Sequence, residues 1–319
     1  MRVTWIALSS SYSHTCSSLP AIHAACRDLG DVQWAAVTCH PGDPAAAIVA
    51  QIVQTRPDIV AGTAYLFTRE PLLRLVRRVK ALLPKVTVVL GGPEFLGDNE
   101  PFLRAEPAVA AVLRGEGETA FRHYLLARLH QAGCDGINGW CWLDRDGRCH
   151  DHGMAVAGGL FETLPPPADS PFFNFAKPFV QLETARGCFA RCAYCASSVP
   201  APLRTAPLDW VERELARMQE NGVREVRLLD RTFNADPRRC RTLLELFRNR
   251  FGNLRFHLEV HPAMLGKPVR LALAQAPPGQ LHIEAGLQTS SAAALDALDL
   301  PGDPDAAWDG LAFLCGLRN

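Results

Sequence analysis

The chain has 319 residues, and its 48% hydrophobic and 21% charged content is typical of a globular protein with a substantial core. Lysine plus arginine equals aspartate plus glutamate at 33 each, so no basic excess indicates a nucleic-acid partner. No apolar run is long enough to cross a membrane, and the N-terminal residues do not resemble a secretion signal. We therefore expect a cytoplasmic protein without a membrane or nucleic-acid partner.

Strand-like and helix-like segments alternate over residues 1–132. Five short apolar runs are strand candidates: Val3–Leu8, Val32–Thr38, Asp58–Ala64, Val86–Leu90 and Ala108–Leu113. Four amphipathic segments are helix candidates: Leu19–Leu29, Ala45–Thr55, Glu70–Leu83 and Thr119–Gln131. This alternation predicts an α/β domain whose parallel sheet is covered by helices on both faces. Ligands of such sheets bind beyond the carboxyl ends of the strands.

Residues 133–178 interrupt the alternation. Their first part is rich in Gly, Asp, Cys and Trp, and it predicts a small β-hairpin with its turn at Asp146-Gly147. Their second part, Leu164–Pro178, is rich in proline and phenylalanine and predicts a linker between two domains. The alternation resumes over residues 179–319, where four further strand candidates each precede a helix candidate. These strands are Phe179–Thr184, Glu225–Asp230, Leu254–Val260 and Leu281–Ala285.

Three cysteines at the spacing C-x3-C-x2-C follow the first of these four strands. Cys188, Cys192 and Cys195 share one loop, and thiolates are the usual protein ligands of iron–sulfur clusters. Three ligands leave one iron of a [4Fe–4S] cluster open to a small molecule. A structural zinc site is an alternative, and it needs a fourth ligand such as His257 or His261. Chance clustering among eleven cysteines is another alternative.

Residues 188–195 resemble the signature of the radical-SAM superfamily, in which an aromatic residue precedes the third cysteine. The resemblance implies a [4Fe–4S] cluster whose open iron binds S-adenosylmethionine (SAM). It implies reductive cleavage of SAM to methionine and a 5′-deoxyadenosyl radical. It also implies a partial (β/α) barrel over residues 179–319, with its site at the carboxyl ends of the strands. Family barrels usually have six strands and four are predicted here, so we expect a truncated chain, or a short form completed by a partner or by self-association.

Tyr194 and Asp230 are the first candidate SAM contacts that the resemblance implies. Tyr194 is the aromatic residue of the signature and offers a flat face near the open iron. Asp230 occupies the position where the family often carries a Gly-Gly-Glu-like segment that meets the methionyl amino group. Its carboxylate can pair with that ammonium, and Arg231 can pair with the SAM carboxylate. A turn and helix cap before Pro237 explains Asp230 equally well.

Glu259, Glu284 and Gln288 are further candidate SAM contacts at the ends of the next two strands. Glu259 interrupts an apolar strand, where an unpaired carboxylate is costly to bury. Glu284 and Gln288 resemble the polar residues that contact the ribose and methionine groups of SAM in the superfamily. A solvated strand end is the alternative for each of them.

A parallel-sheet domain ahead of such a core resembles the cobalamin-binding class of the superfamily. The resemblance implies a Rossmann-like cobalamin-binding-type fold for residues 1–132. Gly91, Gly92, Gly115 and Glu116 follow two strands and fit this class, because glycines let the backbone approach a large flat ligand. Ordinary turn chemistry is the alternative explanation for these residues.

His14 and Thr63 complete the predicted cobalamin site. Some cobalamin domains carry Asp-x-His-x-x-Gly after the first strand, where the histidine ligates cobalt. Here Tyr12 stands for the acidic residue and Ser17 for the glycine, so the acidic partner that orients such a histidine is absent. Thr63 ends the third strand and can meet the nucleotide tail. A domain that binds no cofactor and only shapes the active site is the alternative.

The leading hypothesis is a radical-SAM enzyme that transfers a methyl group to an unactivated carbon with the help of cobalamin. The alternatives are a radical cyclase or methylthiotransferase-like enzyme without cobalt chemistry, and a cluster-binding remnant that does not turn over. The expected cofactors are a [4Fe–4S] cluster, SAM and cobalamin. The expected partners are an unidentified small-molecule or peptide substrate and an electron donor such as flavodoxin or ferredoxin.

Overall fold

The computed structural model of the protein describes residues 1–10, 16–195, 197 and 202–317. The contacts within the chain divide it into two compact units, residues 1–173 and residues 174–319. The segment 133–173, which the sequence pattern assigned to a hairpin and a linker, is therefore part of the first unit. Among the described residues, no helix has both the length and the apolar character needed to span a bilayer.

The first unit contains a seven-stranded sheet in the order β2-β1-β3-β4-β5-β6-β7. Its strands are β1 (Arg2–Leu8), β2 (Gln33–Cys39), β3 (Ile59–Thr63), β4 (Thr87–Gly91), β5 (Ala111–Leu113), β6 (Trp140–Leu143) and β7 (Cys149–Asp151). Its helices are α1 (Ser18–Cys26), α2 (Ala45–Gln54), α3 (Arg69–Leu82), α4 (Glu100–Ala105) and α5 (Gly117–Leu129). Strands β1 to β5 are parallel, which confirms the predicted α/β sheet. The six-residue helix α4 was not predicted, because it is too short to show a hydrophobic period.

The first sheet separates two hydrophobic cores. Along β1, Val3, Trp5 and Ala7 join the core that contains α1 and α5. The alternating residues Ile6 and Leu8 join the core that contains α2 and α3. Both faces of the strand are therefore buried, which explains why the strands of this half are nearly continuous apolar runs.

The predicted hairpin extends the first sheet and is not a separate element. Strand β6 pairs antiparallel with β5, and β7 pairs antiparallel with β6. The hairpin turn is closed by hydrogen bonds between Asp144 and Arg148, and Gly147 adopts φ +76° there. Trp140 is buried and stacks on Tyr124 of α5 with ring centroids 4.3 Å apart. Burial of this aromatic pair ties the hairpin to the first unit.

The second unit contains a four-stranded parallel sheet in the order β13-β12-β11-β8. Its strands are β8 (Val180–Leu182), β11 (Glu225–Leu228), β12 (Arg255–Val260) and β13 (Leu281–Ala285), and a two-stranded pair is formed by β9 (Ala185–Arg186) and β10 (Arg204–Thr205). The helices are α6 (Leu208–Glu220), α7 (Pro237–Arg250), α8 (Lys267–Ala274), α9 (Ala292–Ala297) and α10 (Pro304–Cys315). The four predicted parallel strands are confirmed, and in the described residues they form an open sheet. The pair β9–β10 was not predicted, because two-residue strands carry no alternation pattern.

The second sheet has one apolar and one polar face. Val226, Phe256 and Leu258 are buried on the apolar face, where Phe256 stacks on Phe247 of α7 at 3.9 Å. The intervening residues point to the other face because side chains alternate along a strand. They are Gln181, Arg227, His257 and His282, one from each strand and in register with one another. The polar side chains of these four strands therefore lie on one face of the sheet.

We expect Leu73→Ala to reduce the free energy of unfolding by about 2 to 5 kcal/mol, because Leu73 is 2% exposed in the α2–α3 core. Leu82→Ala is the matched control, since it removes the same atoms from the same helix where the side chain is 63% exposed. That change should cost less than about 0.5 kcal/mol. Urea unfolding measures both values, and equal losses would contradict the assignment of the core.

Candidate functional site

The cysteine loop leaves the carboxyl end of β8 and is closed at its base by β9 and β10. Arg186 pairs with Arg204, and Ala185 pairs with Thr205, in an antiparallel register. Gly187 then turns the chain into the loop with φ +98°, and a Cβ there would lie 2.9 Å from the carbonyl oxygen of Pro202. The base of the loop is thus a narrow, glycine-dependent stem.

The three thiols of the loop form no disulfide, and two of them influence the pKa of the third. None of the eleven cysteines forms a disulfide. Burial raises the pKa of Cys192, and the neighbouring thiols of Cys195 and Cys188 raise it further. The backbone N–H of Ala190 donates to Cys188 Sγ and that of Ser197 donates to Cys195 Sγ, each at 3.4 Å. Hydrogen bonds of this kind tune cluster sulfurs, so the donor set fits an iron–sulfur cluster.

The thiols do not form a ready-made metal site. Among the described residues, no three His, Cys, Asp or Glu side chains are grouped closely enough to hold a metal ion. Neighbouring thiolates repel one another, and ligands of this type converge when the metal supplies the opposite charge. The zinc alternative gains no fourth ligand among the described residues, because neither His257 nor His261 is grouped with the cysteines closely enough to hold a metal ion.

The tip of the cysteine loop is attached to the C-terminal helices of the second unit. The N–H of Ala193 donates to the carbonyl oxygen of Leu298 at 2.9 Å. The ring of Phe189 lies 6.5 Å from that of His261, whose pKa is lowered by burial. Tyr194 is 56% exposed, and burial together with the thiols of Cys192 and Cys195 raises its pKa. The predicted aromatic SAM contact therefore lies beside the thiols with its ring open to solvent.

Asp230 is buried and directs its carboxylate at the backbone of the cysteine-loop stem. Its Oδ1 accepts the N–H groups of Thr184 at 2.7 Å and Ala185 at 2.9 Å, and its Oδ2 accepts the hydroxyl of Thr184. Burial raises the pKa of Asp230 to about 6. The helix cap that the sequence alternative assigned to this turn is supplied by Asp236, whose side chain accepts from Arg238 and Arg239.

Glu259 and Glu284 lie side by side at the carboxyl ends of β12 and β13, as register partners. Burial raises the pKa of Glu259, Arg231 lowers it, and Glu284 raises it. Glu284 is exposed and forms a hydrogen bond of 3.2 Å with Nε2 of His257. From the sequence, His257 was considered only as a possible zinc ligand. The strand-end position of both carboxylates was predictable from the alternation, whereas the pairing with His257 depends on strand register.

Gln288 follows β13 at the edge of a small cavity of about 30 Å³. Its amide nitrogen would lie 2.5 Å from a Cβ at Gly286, so the side chain folds back over that glycine. The same cavity is lined by residues His261, Leu287, Leu295, Leu300, Pro301 and Asp303. This predicted SAM contact therefore lies near the carboxylates in sequence but beside a separate cavity.

In the first unit, Thr63 lies at the point where the strand order reverses. The chain passes from β1 to β2 on one side, and β3 returns to the other side of β1. Ligands of α/β sheets bind at such a switch point. Thr63 Oγ1 is 2.6 Å from Ser18 Oγ, which is in turn 3.1 Å from Cys16 Sγ. His14, the predicted cobalt ligand, lies outside the described residues.

Gly91 and Gly92 differ in what they permit. Gly92 adopts φ +112°, and a Cβ there would lie 2.6 Å from the carbonyl oxygen of Ala64 and 2.7 Å from Thr63 Cγ2. A Cβ at Gly91 would make only ordinary contacts, 3.6 Å from the carbonyl oxygen of Leu113. The absence of a side chain at Gly92 thus allows the ends of β3 and β4 to approach each other. At Gly91 there is room for additional atoms, so this edge of the sheet fits a flat ligand that contacts the backbone.

Gly115 and Glu116 form backbone contacts with residues 153–157, the segment that follows the hairpin. Gly115 forms a parallel bridge with Ala155, and the N–H of Glu116 donates to the carbonyl oxygen of Ala155 at 3.0 Å. Glu116 Oε2 accepts the N–H of Ala157 at 2.6 Å. These contacts account for both residues without a ligand, which is the alternative that the sequence analysis left open. Only the fold of residues 153–157 onto β5 reveals this role.

Residues 3–125 match the model of the B12 binding domain family. A methyltransferase of Streptantibioticus cattleyicolor, named for 2-(S-pantetheinyl)-carbapenam-3-carboxylate, is 28% identical over 58% of this chain and 29% of its own length. The cobalamin-dependent SAM radical enzyme OxsB, solved with aqua-cobalamin and SAM, has a TM-score of 0.80 at 16% identity. The alignment covers 98% of this chain and 47% of OxsB.

The radical SAM methyltransferase TsrM from Kitasatospora setae has a similar fold, with a TM-score of 0.76 at 16% identity. This alignment covers 99% of the present chain and 66% of TsrM. The present chain thus spans less than half of the curated relative and about half to two thirds of the solved proteins. At these identities the solved structures establish the fold.

Fold and site together define an α/β protein in which a B12-binding-type sheet precedes a parallel sheet that carries a three-cysteine loop. The B12 binding domain match and the shared fold support the resemblance to the cobalamin-binding class of the radical-SAM superfamily that the cysteine signature and the N-terminal sheet indicated. The predicted cofactors, cobalamin, a [4Fe–4S] cluster and SAM, are those with which the matched structures of OxsB and TsrM were solved.

We expect Gly92→Ala to lower the free energy of unfolding by about 1 to 3 kcal/mol or more, because its backbone conformation is nearly restricted to glycine and Cβ would collide with Ala64. Gly91→Ala is the matched control, since the adjacent position has room for a methyl group. Chemical unfolding of the two variants measures the difference. Similar losses at the two positions would show that the close approach of β3 and β4 is not what requires glycine.

The buried carboxyl of Asp230 should make stability depend on pH in a defined direction. Its pKa rises from 3.8 to about 6 on folding, so the folded protein binds more protons than the unfolded chain between those values. The contribution of Asp230 to stability is therefore complete below about pH 4 and declines as the pH rises through 6, by about 3 kcal/mol. Urea unfolding at pH 4.5 and pH 7 should show a steeper decline for wild type than for Asp230→Asn. Parallel pH profiles would contradict this origin.

Proposed function

We propose that the protein is a radical-SAM enzyme that cleaves SAM reductively on a [4Fe–4S] cluster held by Cys188, Cys192 and Cys195. The single observation that carries the proposal is the cysteine loop itself. It presents three thiols that form no disulfide beyond the carboxyl end of a parallel strand, with N–H groups directed at two of the sulfurs. The chain's similarity in fold to OxsB, which is solved with SAM bound, supports the same conclusion.

The residues around the loop would bind and orient the cofactors. When bound, the cluster supplies an electron that cleaves SAM to methionine and a 5′-deoxyadenosyl radical, and cobalamin carries a methyl group. Glu259 and Glu284 place two carboxylates at adjacent strand ends, where they suit a ligand with an ammonium and a sulfonium charge. His257 holds the Glu284 carboxylate from below the strand end. Tyr194 presents an open ring beside the thiols.

Methyl transfer to an unactivated carbon is the reaction that we propose for the complete site. The B12 binding domain match over residues 3–125 and the methyltransferase names of the curated relative and of TsrM support it. In the first unit, the switch point at Thr63 and the open position at Gly91 are the groups of this chain that would receive cobalamin. The proposed partners are a small-molecule or peptide substrate and a one-electron donor such as flavodoxin or ferredoxin.

We expect Cys192→Ala to abolish the cluster, so that anaerobic reconstitution with iron and sulfide leaves the variant with little bound iron and no visible charge-transfer absorption. Cys315→Ala is the matched control, because that cysteine is exposed in the same unit and lies outside the loop. The control should retain the same iron content as wild type. Undiminished iron in Cys192→Ala would refute the ligand assignment.

Two further measurements on the reconstituted protein separate the parts of the proposal. Formation of 5′-deoxyadenosine from SAM under a strong reductant tests cleavage, and a bound cluster without this product would reject the catalytic part. Retention of hydroxocobalamin, read from its visible spectrum after gel filtration, tests the cobalamin part. Cleavage of SAM without cobalamin retention would favour the cyclase or methylthiotransferase-like alternative.

A further inference from the structure

The carboxylate of Asp230 is occupied by hydrogen bonds from neighbouring residues of the protein. The residue is 3% exposed, and three hydrogen bonds reach its two oxygens from Thr184 and Ala185. An ionised carboxylate accepts about four hydrogen bonds, so little capacity is left for an external ammonium group. Glu259 and Glu284, at neighbouring strand ends, are more exposed and carry fewer internal hydrogen bonds. Burial and geometry therefore separate Asp230 from the other predicted SAM contacts.

Thr184 is where the hydrogen bonds of the loop stem converge. It is fully buried, and both its N–H and its hydroxyl donate to Asp230. Its carbonyl oxygen accepts the N–H of Ala206 at 2.8 Å and Arg239 Nη2 at 3.1 Å. One residue thus joins β8, the strand β11 that precedes Asp230, the segment after β10 and helix α7.

This junction lies immediately before the cysteines. Ala185 and Arg186 form β9, Gly187 makes the turn, and Cys188 is the first thiol of the loop. Ala206 lies directly after β10, at the other end of the same loop. Both ends of the loop are therefore tied to Thr184, so the backbone at this residue sets where the loop leaves the sheet.

We propose that Asp230 is a positioning residue that fixes the stem of the cysteine loop through Thr184 and Ala185, and that it does not bind the methionyl ammonium of SAM. The role of the loop in holding a cluster rests on the proposed function, whereas the clamp itself is a property of the protein without cofactor. Arg239 completes the clamp from α7, since it donates to Thr184 and its positive charge lies near Asp230.

Two substitutions of the same residue distinguish positioning from SAM binding. In Asp230→Asn the amide oxygen can still accept both N–H groups, and the amide nitrogen can donate to the Thr184 hydroxyl, which then acts as acceptor. The clamp is preserved while the negative charge is removed. In Asp230→Ala all three hydrogen bonds are lost. Thr184→Val removes only the hydroxyl contact, and Asp209→Ala is a control at an exposed carboxylate of α6.

Amide hydrogen exchange of the full chain without cofactor is the decisive measurement. We expect exchange of the Thr184 and Ala185 amides to accelerate by about tenfold or more in Asp230→Ala and to stay near wild type in Asp230→Asn and Asp209→Ala. If Asp230→Ala does not fold, Thr184→Val provides the test through faster exchange at Ala185. Unchanged exchange in Asp230→Ala, or in Thr184→Val where Asp230→Ala does not fold, would overturn the clamp.

The reconstituted protein provides the second measurement. We expect Asp230→Asn to hold as much iron as wild type and to bind SAM within about threefold of the wild-type dissociation constant, while Asp230→Ala loses iron. A loss of SAM affinity of about tenfold or more in Asp230→Asn, with normal iron content, would overturn the proposal in favour of an ammonium contact. If wild type itself binds no iron, the proposed function fails, and the exchange data still decide the clamp.

Discussion

Parallel strands place all their carboxyl ends on one edge of a sheet, and both units of this protein depend on that constraint. In the first unit the edge carries Thr63, and Gly91 and Gly92 at the end of β4. In the second unit it carries the cysteine loop after β8 and the carboxylates of β12 and β13. Loops at that edge are free of the packing demands that fill the sheet interior, so chemically active residues can collect there.

Within the second unit, the acidic side chains at this edge differ in burial and in hydrogen bonding. Asp230 is buried and satisfied by the backbone, whereas Glu259 is half-buried and Glu284 is exposed. A carboxylate near a strand end can therefore serve the protein's own backbone or a ligand, and burial with hydrogen bonding decides between the two. By sequence all three residues are candidate SAM contacts, because each lies near the end of a strand in its βα unit.

The glycines of the first unit show a similar distinction. Gly92 and Gly115 have positive φ values and stand where a side chain would strike the backbone of a neighbouring segment, so their own fold requires them. Gly91 has neither constraint. Glycines after a strand predict that another group approaches the backbone closely. Whether that group is another segment of the protein or a ligand depends on residues distant in sequence. For Gly115 and Glu116 that segment is residues 153–157, which no local pattern connects to β5.

The amino-acid sequence by itself determined the alternation of strands and helices, the parallel sheets, the four strands of the second unit and the cysteine spacing, because hydrophobic period and ligand spacing are local properties. It left the pair β9–β10, the place of the hairpin in the first sheet and the partners of His257 undetermined, since these depend on register between distant segments. Tertiary structure alone decided that Asp230 faces Thr184. That choice follows from the cost of burying a carboxylate, which only the packed neighbours of a residue can offset.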